Sequence, residues 1–323
     1  MEREEGELRV ALADIASRER YSPTFHPDLS PLEASLREVG QLESLLLREG
    51  KEGWELVCGL KRIMALEALG EEEAEARVLP REFTPDRAAR VAIAHNLPQG
   101  LNLVEKARAV KRLEDAGVPQ EEVISKWLPL MGLGPRMALY LNLKAILQLP
   151  HDLQIFLVEA GISFPLASEL SHFKQQELEA LAPMILSLRP GENKLREILR
   201  ALRDLASREG RSIGEILEEG RDVWDSPERP RPERLEAFRR WLRKRRYPRF
   251  TALETSFEDF CSSLDLPHGV LRPPPSFEGE EFTVQFRFRS REEFLRMAER
   301  LRKAAYRMAA SGEDPLRPFR GLP

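Results

Sequence analysis

The most informative stretch of the sequence is Trp54-Glu55-Leu56-Val57-Cys58-Gly59-Leu60-Lys61-Arg62-Ile63-Met64-Ala65. It predicts a strand, a tight turn at Gly59 and a helix whose first turn carries two cations. A helix N-terminus presents unpaired N–H groups with a partial positive charge, and glycine lets the backbone approach closely, so this turn can hold a phosphate. A strand-to-helix turn with two solvated basic residues has the same pattern, and the stretch alone leaves both interpretations open.

This stretch belongs to an ordered series of predicted elements. In sequence order the chain carries Leu8-Arg9-Val10, a turn at Pro23, a helix over 31–39, a strand over 42–47, the Gly59 turn and a strand over 74–79. The order resembles the N-terminal domain of the ParB chromosome and plasmid partition proteins, in which the turn is usually Gly-Glu-Arg-Arg. The resemblance continues through 94–99, 101–107 and 120–123, and it covers most of the chain.

The composition predicts a mainly helical chain of two or three domains. The 323 residues are 42% hydrophobic, which suffices for packed cores, and 32% are charged whereas only 7% are aromatic. Because the formal net charge is −4, binding to nucleic acid requires a local basic patch rather than the overall charge.

The sequence carries no signal for export, membrane insertion, disulfide bonds or metal binding. Its start is charged, no run approaches the roughly 20 apolar residues of a membrane span, and Cys58 and Cys261 lack the spacing of metal ligands. Both cysteines are expected to be small buried residues. The sequence therefore predicts a cytoplasmic protein with no metal site, and the resemblance to ParB proteins implies association with the nucleoid.

The predicted fold class is α+β and mainly helical. Residues 7–98 are expected to form a small α/β domain similar to that of ParB and the sulfiredoxins, and residues 99–222 a helical domain with a divergent helix-turn-helix. Residues 223–250 are expected to be a linker and a basic helix, and residues 251–323 a strand-helix dimerisation module. Capping boxes at Ser30-Pro31-Leu32-Glu33 and Asn102-Leu103-Val104-Glu105 predict two helix starts.

The helix-turn-helix is the first candidate for DNA binding. Residues 119–130 are the predicted supporting helix, Met131-Gly132-Leu133-Gly134 the turn, and 135–147 the recognition helix, with Arg136, Asn142 and Lys144 as DNA-contacting residues. The turn is several residues longer than in the family. The alternative for this helix, which is poor in polar side chains, is a buried bundle helix without base readout.

A basic cluster over 239–249 is the second candidate. Cations massed on a helix and interleaved with aromatic residues give affinity for phosphates without sequence preference, because they release condensed counterions. A solvated helix face paired with its acidic neighbours, Glu233 and Glu236, is the alternative. The apolar face of the helix is too small to favour a membrane surface. The cationic candidates are Arg239, Arg240, Arg243, Lys244, Arg245, Arg246 and Arg249.

The C-terminal segment predicts a dimerisation surface. Phe282, Val284, Phe286 and Phe288 alternate with polar residues, which is the period of a half-buried strand, and the next helix carries Phe294 and Leu301 on one stripe. A lone strand with one or two helices cannot bury its apolar face and its edges, so it needs a partner. The segment resembles the C-terminal domain of ParB proteins, in which strand and helix pair with a second chain. Completion of the N-terminal sheet by this strand is the alternative.

The resemblance also implies a nucleotide site. ParB proteins bind CTP with magnesium through the Gly-Glu-Arg-Arg turn, a Glu-Asn-x-x-Arg segment and a Gln-Pro-Arg stretch. The matching residues here are Gly59, Lys61, Arg62 and Asn96, whereas Leu60, His95, Gln99, Ser22 and Thr24 depart from the pattern. Magnesium prefers a carboxylate, and a neutral amide does not replace a guanidinium at a phosphate. We therefore expect CTP binding to be weak or absent, and hydrolysis less favoured still.

Enzymes of similar fold are not favoured by the residues at the turn. Sulfiredoxins use a cysteine at the position of Leu60, and the ParB-like kinases of free amino acids need carboxylates that the turn lacks. The sequence assigns no catalytic residue.

The function that the resemblance implies is a homodimeric protein that binds double-stranded DNA in chromosome or plasmid segregation or in nucleoid organisation. One alternative is an interaction or regulatory module that keeps the scaffold without specific DNA readout, and another is a CTP-binding switch with weak hydrolysis. The family implies a partner partition ATPase, which it engages through a short basic segment, but residues 1–8 here are acidic.

Overall fold

Helices and one small mixed sheet make up most of the computed structural model, which describes residues 7–310 and 314–320. This confirms the predicted α+β, mainly helical class. Residues 1–6, which hold most of the acidic start, lie outside the described residues. The chain divides into two compact units, one comprising Met1–Leu199 and Ser212–Leu235, the other Arg200–Arg211 and Glu236–Pro323.

A five-stranded sheet begins the first unit. Neighbouring strands follow the order β1-β5-β3-β4-β2. The antiparallel pair β3 and β4 is joined by the polar loop that the sequence predicts, while β5 runs parallel to β3 and β2 parallel to β4. The bounds are β1 (Glu7–Ala11), β2 (Ile15–Ser17), β3 (Leu45–Glu49), β4 (Trp54–Cys58) and β5 (Glu73–Val78).

Two helices, α1 (Ser30–Val39) and α2 (Leu60–Ala68), pack with the sheet. Leu45 and Leu47 of β3 and Ile63 of α2 are fully buried in the shared core. Alternate residues of a strand point to the same face, which is why Leu45 and Leu47 enter this core together. This shared core holds α2 against the sheet.

The predicted capping box at the start of α1 is wrong in its register. Ser30 is the first residue of the helix rather than its cap, and Leu29 precedes it without a side-chain cap. The Ser30 amide donates instead to Asp28 Oδ1 at 3.0 Å, so a carboxylate satisfies one of the free N–H groups at this end. The second predicted box is confirmed, since Asn102 and Glu105 bond each other's backbone amides at 2.9 and 3.0 Å.

The rest of the first unit is helical. Its core is formed by alanines and branched apolar residues of α3 and α4 together with Trp127, Tyr140 and Leu143. Of the helices that follow, α11 and α14 each begin in the first unit and end in the second. The helices are α3 (Pro85–Asn96), α4 (Leu103–Asp115), α5 (Gln120–Glu122), a π-helical segment (Val123–Trp127), α6 (Leu128–Leu130), α7 (Met137–Ile146), α8 (His151–Glu159), α9 (Phe164–Ser171), α10 (Gln175–Leu188), α11 (Glu192–Glu209), α12 (Ile213–Glu219), α13 (Arg221–Trp224) and α14 (Arg231–Arg246).

The second unit packs α15 (Pro248–Ser263) and α16 (Arg291–Ala309) around an aromatic core. Phe257 lies at its centre, with ring centroids 5.1 Å from Phe319 and 5.9 Å from Phe277. A two-stranded sheet, β6 (Leu271–Arg272) and β7 (Thr283–Val284), belongs to the same unit. Across the described ranges, no helix combines the length and the apolar character that crossing a bilayer requires.

The predicted C-terminal strand is much shorter than the alternation suggested. Only Thr283–Val284 is extended in a ladder, and it pairs with β6 rather than with the N-terminal sheet. The partner strand cannot be longer because prolines at 273–275 lack N–H donors on one side and Gly269, with φ of 79°, turns the chain on the other. Phe282 therefore does not share a face with Phe288; its ring lies 6.0 Å from that of Phe257, inside the unit's own core.

Candidate functional site

The turn after β4 has the predicted strand-turn-helix geometry. Gly59 precedes α2 with φ of 113°, and its carbonyl accepts hydrogen bonds from the amides of Arg62 and Ile63, both at 3.0 Å. A Cβ at this position would lie 2.6 Å from Leu45 Cδ2. Both the left-handed backbone and the close approach of Leu45 therefore require glycine here.

A cavity of about 470 Å³ opens beside this turn. It brings together all four residues that the resemblance assigned to the nucleotide site, Gly59, Lys61, Arg62 and Asn96. The structure adds two carboxylates that the sequence did not indicate, Asp28 from just before α1 and Glu43 from the loop before β3. The other polar residues of the lining are Ser22, Thr24, Ser35, His95 and Gln99.

The cations of the cavity are already engaged. Arg62 Nη2 donates to Glu43 Oε2 at 2.5 Å, and Lys61 Nζ donates to Gln99 Oε1 at 3.2 Å. Asn96 uses its amide Nδ2 on the Ala92 carbonyl of its own helix, at 2.8 Å. Glu43 thus neutralises the charge of Arg62, whereas Lys61 keeps its charge because the amide of Gln99 is neutral.

The cavity offers few oxygen ligands for magnesium. Within the described residues, no group of three or more His, Cys, Asp or Glu side chains could hold a metal ion, and Asp28 is the carboxylate of the lining that makes no ion pair there. Glu43 is paired with Arg62, and His95 offers a nitrogen where magnesium prefers oxygen. Burial raises the pKa of the Cys58 thiol, which also lines the cavity, to about 11, so this group stays neutral and unreactive at physiological pH.

Hydrogen bonds hold one wall of the cavity, at Thr24 and Phe25, against helix α4. The sequence did not predict these contacts. Arg108 Nη1 donates to the Thr24 carbonyl at 2.8 Å, and the Phe25 amide donates to Glu105 Oε1 at 3.2 Å. The guanidinium of Arg108 also lies 4.5 Å from the centre of the Phe25 ring. These partners are about eighty residues apart in the chain, a separation that no local pattern reveals.

The predicted helix-turn-helix region contains two helical stretches joined by a turn. The first runs through α5, the π-helical segment and α6, and the second is α7. Arg136 directly precedes α7 and is exposed, whereas Asn142 is half-buried. Lys144 is exposed but lies 3.1 Å from Glu114 Oε1 and 5.2 Å from the centre of the Tyr140 ring. Of the three predicted DNA-contacting residues, Arg136 is the one whose charge is unpaired within the described part of the chain.

The basic cluster on α14 is partly neutralised by acids that are distant in sequence. Arg243 pairs with Glu254 at 2.7 Å, Arg245 with Glu209 at 2.6 Å, and Arg246 with Asp204. Arg239 pairs with Glu236, one of the two acids that the sequence did indicate, at 2.7 Å. The two hydrogen bonds from Arg245 hold the pKa of Glu209 below its ordinary value, so this carboxylate is charged when it meets the arginine.

Three cations of the cluster are left for solvent or ligand. Arg240, Lys244 and Arg249 are exposed and make no ion pair within the described residues. Arg240 and Lys244 are four residues apart on α14, so they lie on one face of the helix. We name these three residues the open cations.

The six residues of the predicted dimerisation surface have different environments. Phe282 and Leu301 pack against the core of the second unit. Phe286, Phe288 and Phe294 form a separate group of rings with centroids 5.0 to 6.0 Å apart. Val284, Phe288 and Phe294 are exposed in the single chain, as are Leu295 and Tyr306 of α16.

No protein-family model matches the chain, but curated relatives do. Over 150 residues it is 33% identical to the chromosome-partitioning protein Spo0J of Thermus thermophilus, with 46% of this chain and 53% of that protein covered. Over 201 residues it is 27% identical to the chromosome-partitioning protein ParB of Myxococcus xanthus, with 59% and 65% covered. The chain thus spans between about half and two thirds of the length of these relatives.

Among solved structures, the chain is similar to the C-terminally truncated chromosome-partitioning protein ParB from Caulobacter crescentus complexed to the centromeric parS site. The sequence identity is 19% and the TM-score 0.31, and the match covers 55% of this chain and 91% of the other.

Proposed function

Since the chain is a divergent member of the ParB-like family of partition proteins, we propose that it binds double-stranded DNA. Its role is then in chromosome or plasmid segregation or in organisation of the nucleoid. What supports this proposal most is the 33% identity to a chromosome-partitioning protein over 150 residues.

The open cations supply the electrostatic part of the proposed DNA contact. Each phosphate that a cation neutralises releases counterions, and this release drives binding of polyanions even by a protein of negative net charge. Arg240 and Lys244 share a helix face, and Arg249 follows in the first turn of α15. The paired arginines of the cluster contribute less, because a phosphate would have to displace a carboxylate that already occupies the guanidinium.

Binding to duplex DNA at several salt concentrations tests the proposal. We expect affinity for a random duplex library to fall steeply as salt rises, and an enriched sequence to appear after selection. A steep salt dependence without an enriched sequence would support general nucleoid binding. Absence of binding even at low salt would contradict the proposal and favour the alternative of an interaction module without DNA readout.

We also propose that the protein is a homodimer through the ring group of the exposed Phe288 and Phe294 and the half-buried Phe286. Helix α16 has 19 residues, of which Ala304 is buried in the single chain. Leu295 and Tyr306 extend the apolar surface along the helix. A face of this size is costly to expose, and a second copy of the same strand and helix offers the matching surface.

The proposed DNA contact requires neither a bound nucleotide nor a partner ATPase. The pairing of Arg62 with Glu43 supports our expectation that CTP is bound weakly or not at all. A partner partition ATPase, which the family implies, remains a proposal, and a pull-down with a purified partition ATPase from the same host would test it.

A further inference from the structure

Helix α7 lies in a segment whose charge differs from that of the whole chain. From residue 123 to residue 151 the charged side chains are Lys126, Arg136 and Lys144, and no aspartate or glutamate occurs. The full chain, in contrast, carries 54 acidic and 50 basic residues. Lys126 forms an ion pair with Glu122 and Lys144 forms one with Glu114, both glutamates lying before residue 123. Arg136 has no ion pair within the described residues.

The outward face of α7 is apolar in its N-terminal half. Met137 is 48% exposed and Leu141 is 54% exposed, whereas Tyr140 and Leu143 are buried in the core. Met137 and Leu141 are four residues apart, so their side chains lie side by side on one face. Ala138, next to Met137, is exposed as well. Met137 Sδ accepts a hydrogen bond from Gln120 Nε2 at 3.3 Å, but packing in the core does not account for the exposed apolar area of Met137 and Leu141.

The position of these residues is the one that a helix-turn-helix uses for reading bases. In that motif the second helix enters the major groove, and its N-terminal residues contact the base edges. An apolar side chain there has one apolar group to contact, the 5-methyl group of thymine. Arg136, at the N-terminus of the same helix, is placed to contact a phosphate or a guanine beside it.

We propose that α7 selects DNA sequences through thymine methyl groups, which Met137 and Leu141 contact, with Arg136 as the adjacent cation. This inference rests on the proposed DNA binding and names the base feature that is recognised. Lys126 and Lys144 are paired with glutamates, so the charge that complements a phosphate beside the groove is that of Arg136. A lipid surface is disfavoured, because two exposed apolar side chains on a 10-residue helix offer too small a face for insertion.

Replacement of thymine by deoxyuridine in a selected duplex tests the inference, since deoxyuridine lacks only the 5-methyl group. A duplex is first selected from a random library at moderate salt. We expect its affinity to fall about three- to fourfold for each methyl group that α7 contacts, which corresponds to the transfer of one CH₂-sized group out of water. The slope of affinity against salt should not change, because no phosphate contact is altered.

Two double variants make the test specific to α7. In Met137→Ala with Leu141→Ala, the difference between thymine and deoxyuridine duplexes should disappear. In the matched control, Leu8→Ala with Val39→Ala, which are 37% and 55% exposed elsewhere in the first unit, it should persist. Thermal melting of both variants checks that each remains folded.

The outcomes separate this inference from the function it rests on. If the wild-type protein binds no duplex at low salt, the proposed function fails and the inference with it. If it binds but yields no enriched sequence, or binds thymine and deoxyuridine duplexes equally, the inference alone is overturned. Binding to anionic phosphatidylserine vesicles that the Met137→Ala, Leu141→Ala variant loses would also overturn it, in favour of a lipid surface.

Discussion

Gly59 shows how a single residue links the sheet to the cavity. Its backbone is left-handed, which costs any residue with a Cβ roughly 1 kcal/mol or more, and its Cβ position is occupied by Leu45. Gly70 also has a positive φ, 80°, but has no atom within 4 Å of its Cβ position. The two glycines therefore differ in packing although both have a positive φ.

We predict that Gly59→Ala lowers the free energy of unfolding by about 2–4 kcal/mol, because backbone strain and overpacking against Leu45 add. Gly70→Ala is the matched control and should lose only the backbone strain, about 1 kcal/mol. Urea unfolding of both variants measures the difference. Equal losses would mean that Leu45 moves aside at no cost.

The pairing of Arg62 with Glu43 leads to a prediction for nucleotide binding. Isothermal titration calorimetry with millimolar CTP and magnesium should show no heat above dilution, because Arg62 is paired with Glu43 and because His95 and Gln99 offer neither a carboxylate for magnesium nor a guanidinium for the phosphates. Glu43→Gln frees the Arg62 guanidinium and should increase binding of inorganic phosphate. A clear magnesium-dependent heat with the wild-type protein would contradict this account of the cavity.

At the scale of single elements, helix α16 and the ring group expose several large apolar side chains. We predict that Phe288→Asp with Phe294→Asp converts a dimer into a monomer, because two charges would be buried at the interface without partners. Size-exclusion chromatography with light scattering measures the mass, and Val39→Asp serves as a control outside the second unit. A wild-type monomer, or a dimer that survives both substitutions, would contradict the assignment of this surface.

Elements with a strong local pattern were predictable, and those that depend on a distant partner were not. Strand β4 has the predicted bounds because a glycine turn and a polar loop limit it on both sides. The length of the strand near Phe282 was overestimated. Alternation indicates which residues share a face of a strand, but it does not indicate how long the partner strand is. In the same way the acids that pair with α14, at positions 204, 209 and 254, were missed because they are close in space only.

The candidate site was predicted in part. The four residues assigned to the nucleotide site do line one cavity, because they follow from a local turn and a neighbouring helix. Asp28 and Glu43, which also line it, could not be assigned from sequence, since they have no motif of their own. The exposed apolar face of α7 was visible only once burial distinguished Met137 and Leu141 from their buried neighbours.

At the scale of the whole molecule, an acidic chain is proposed to bind a polyanion through a few locally unpaired cations. The ion pairs of α14 reduce the seven predicted DNA-contacting cations of the cluster to three that are open, Arg240, Lys244 and Arg249. Local availability of charge, rather than net charge, then sets the affinity for DNA.

The salt dependence of duplex binding by two triple variants tests this claim most directly. Arg240→Ala, Lys244→Ala and Arg249→Ala together should reduce the slope of log affinity against log salt by about two to three, since each phosphate contact contributes about 0.9. The matched control replaces Arg37, Lys51 and Arg77, three exposed cations without ion pairs in the described residues, and changes the net charge equally. The account predicts that the control keeps the wild-type slope. Equal slopes for both triple variants would contradict it.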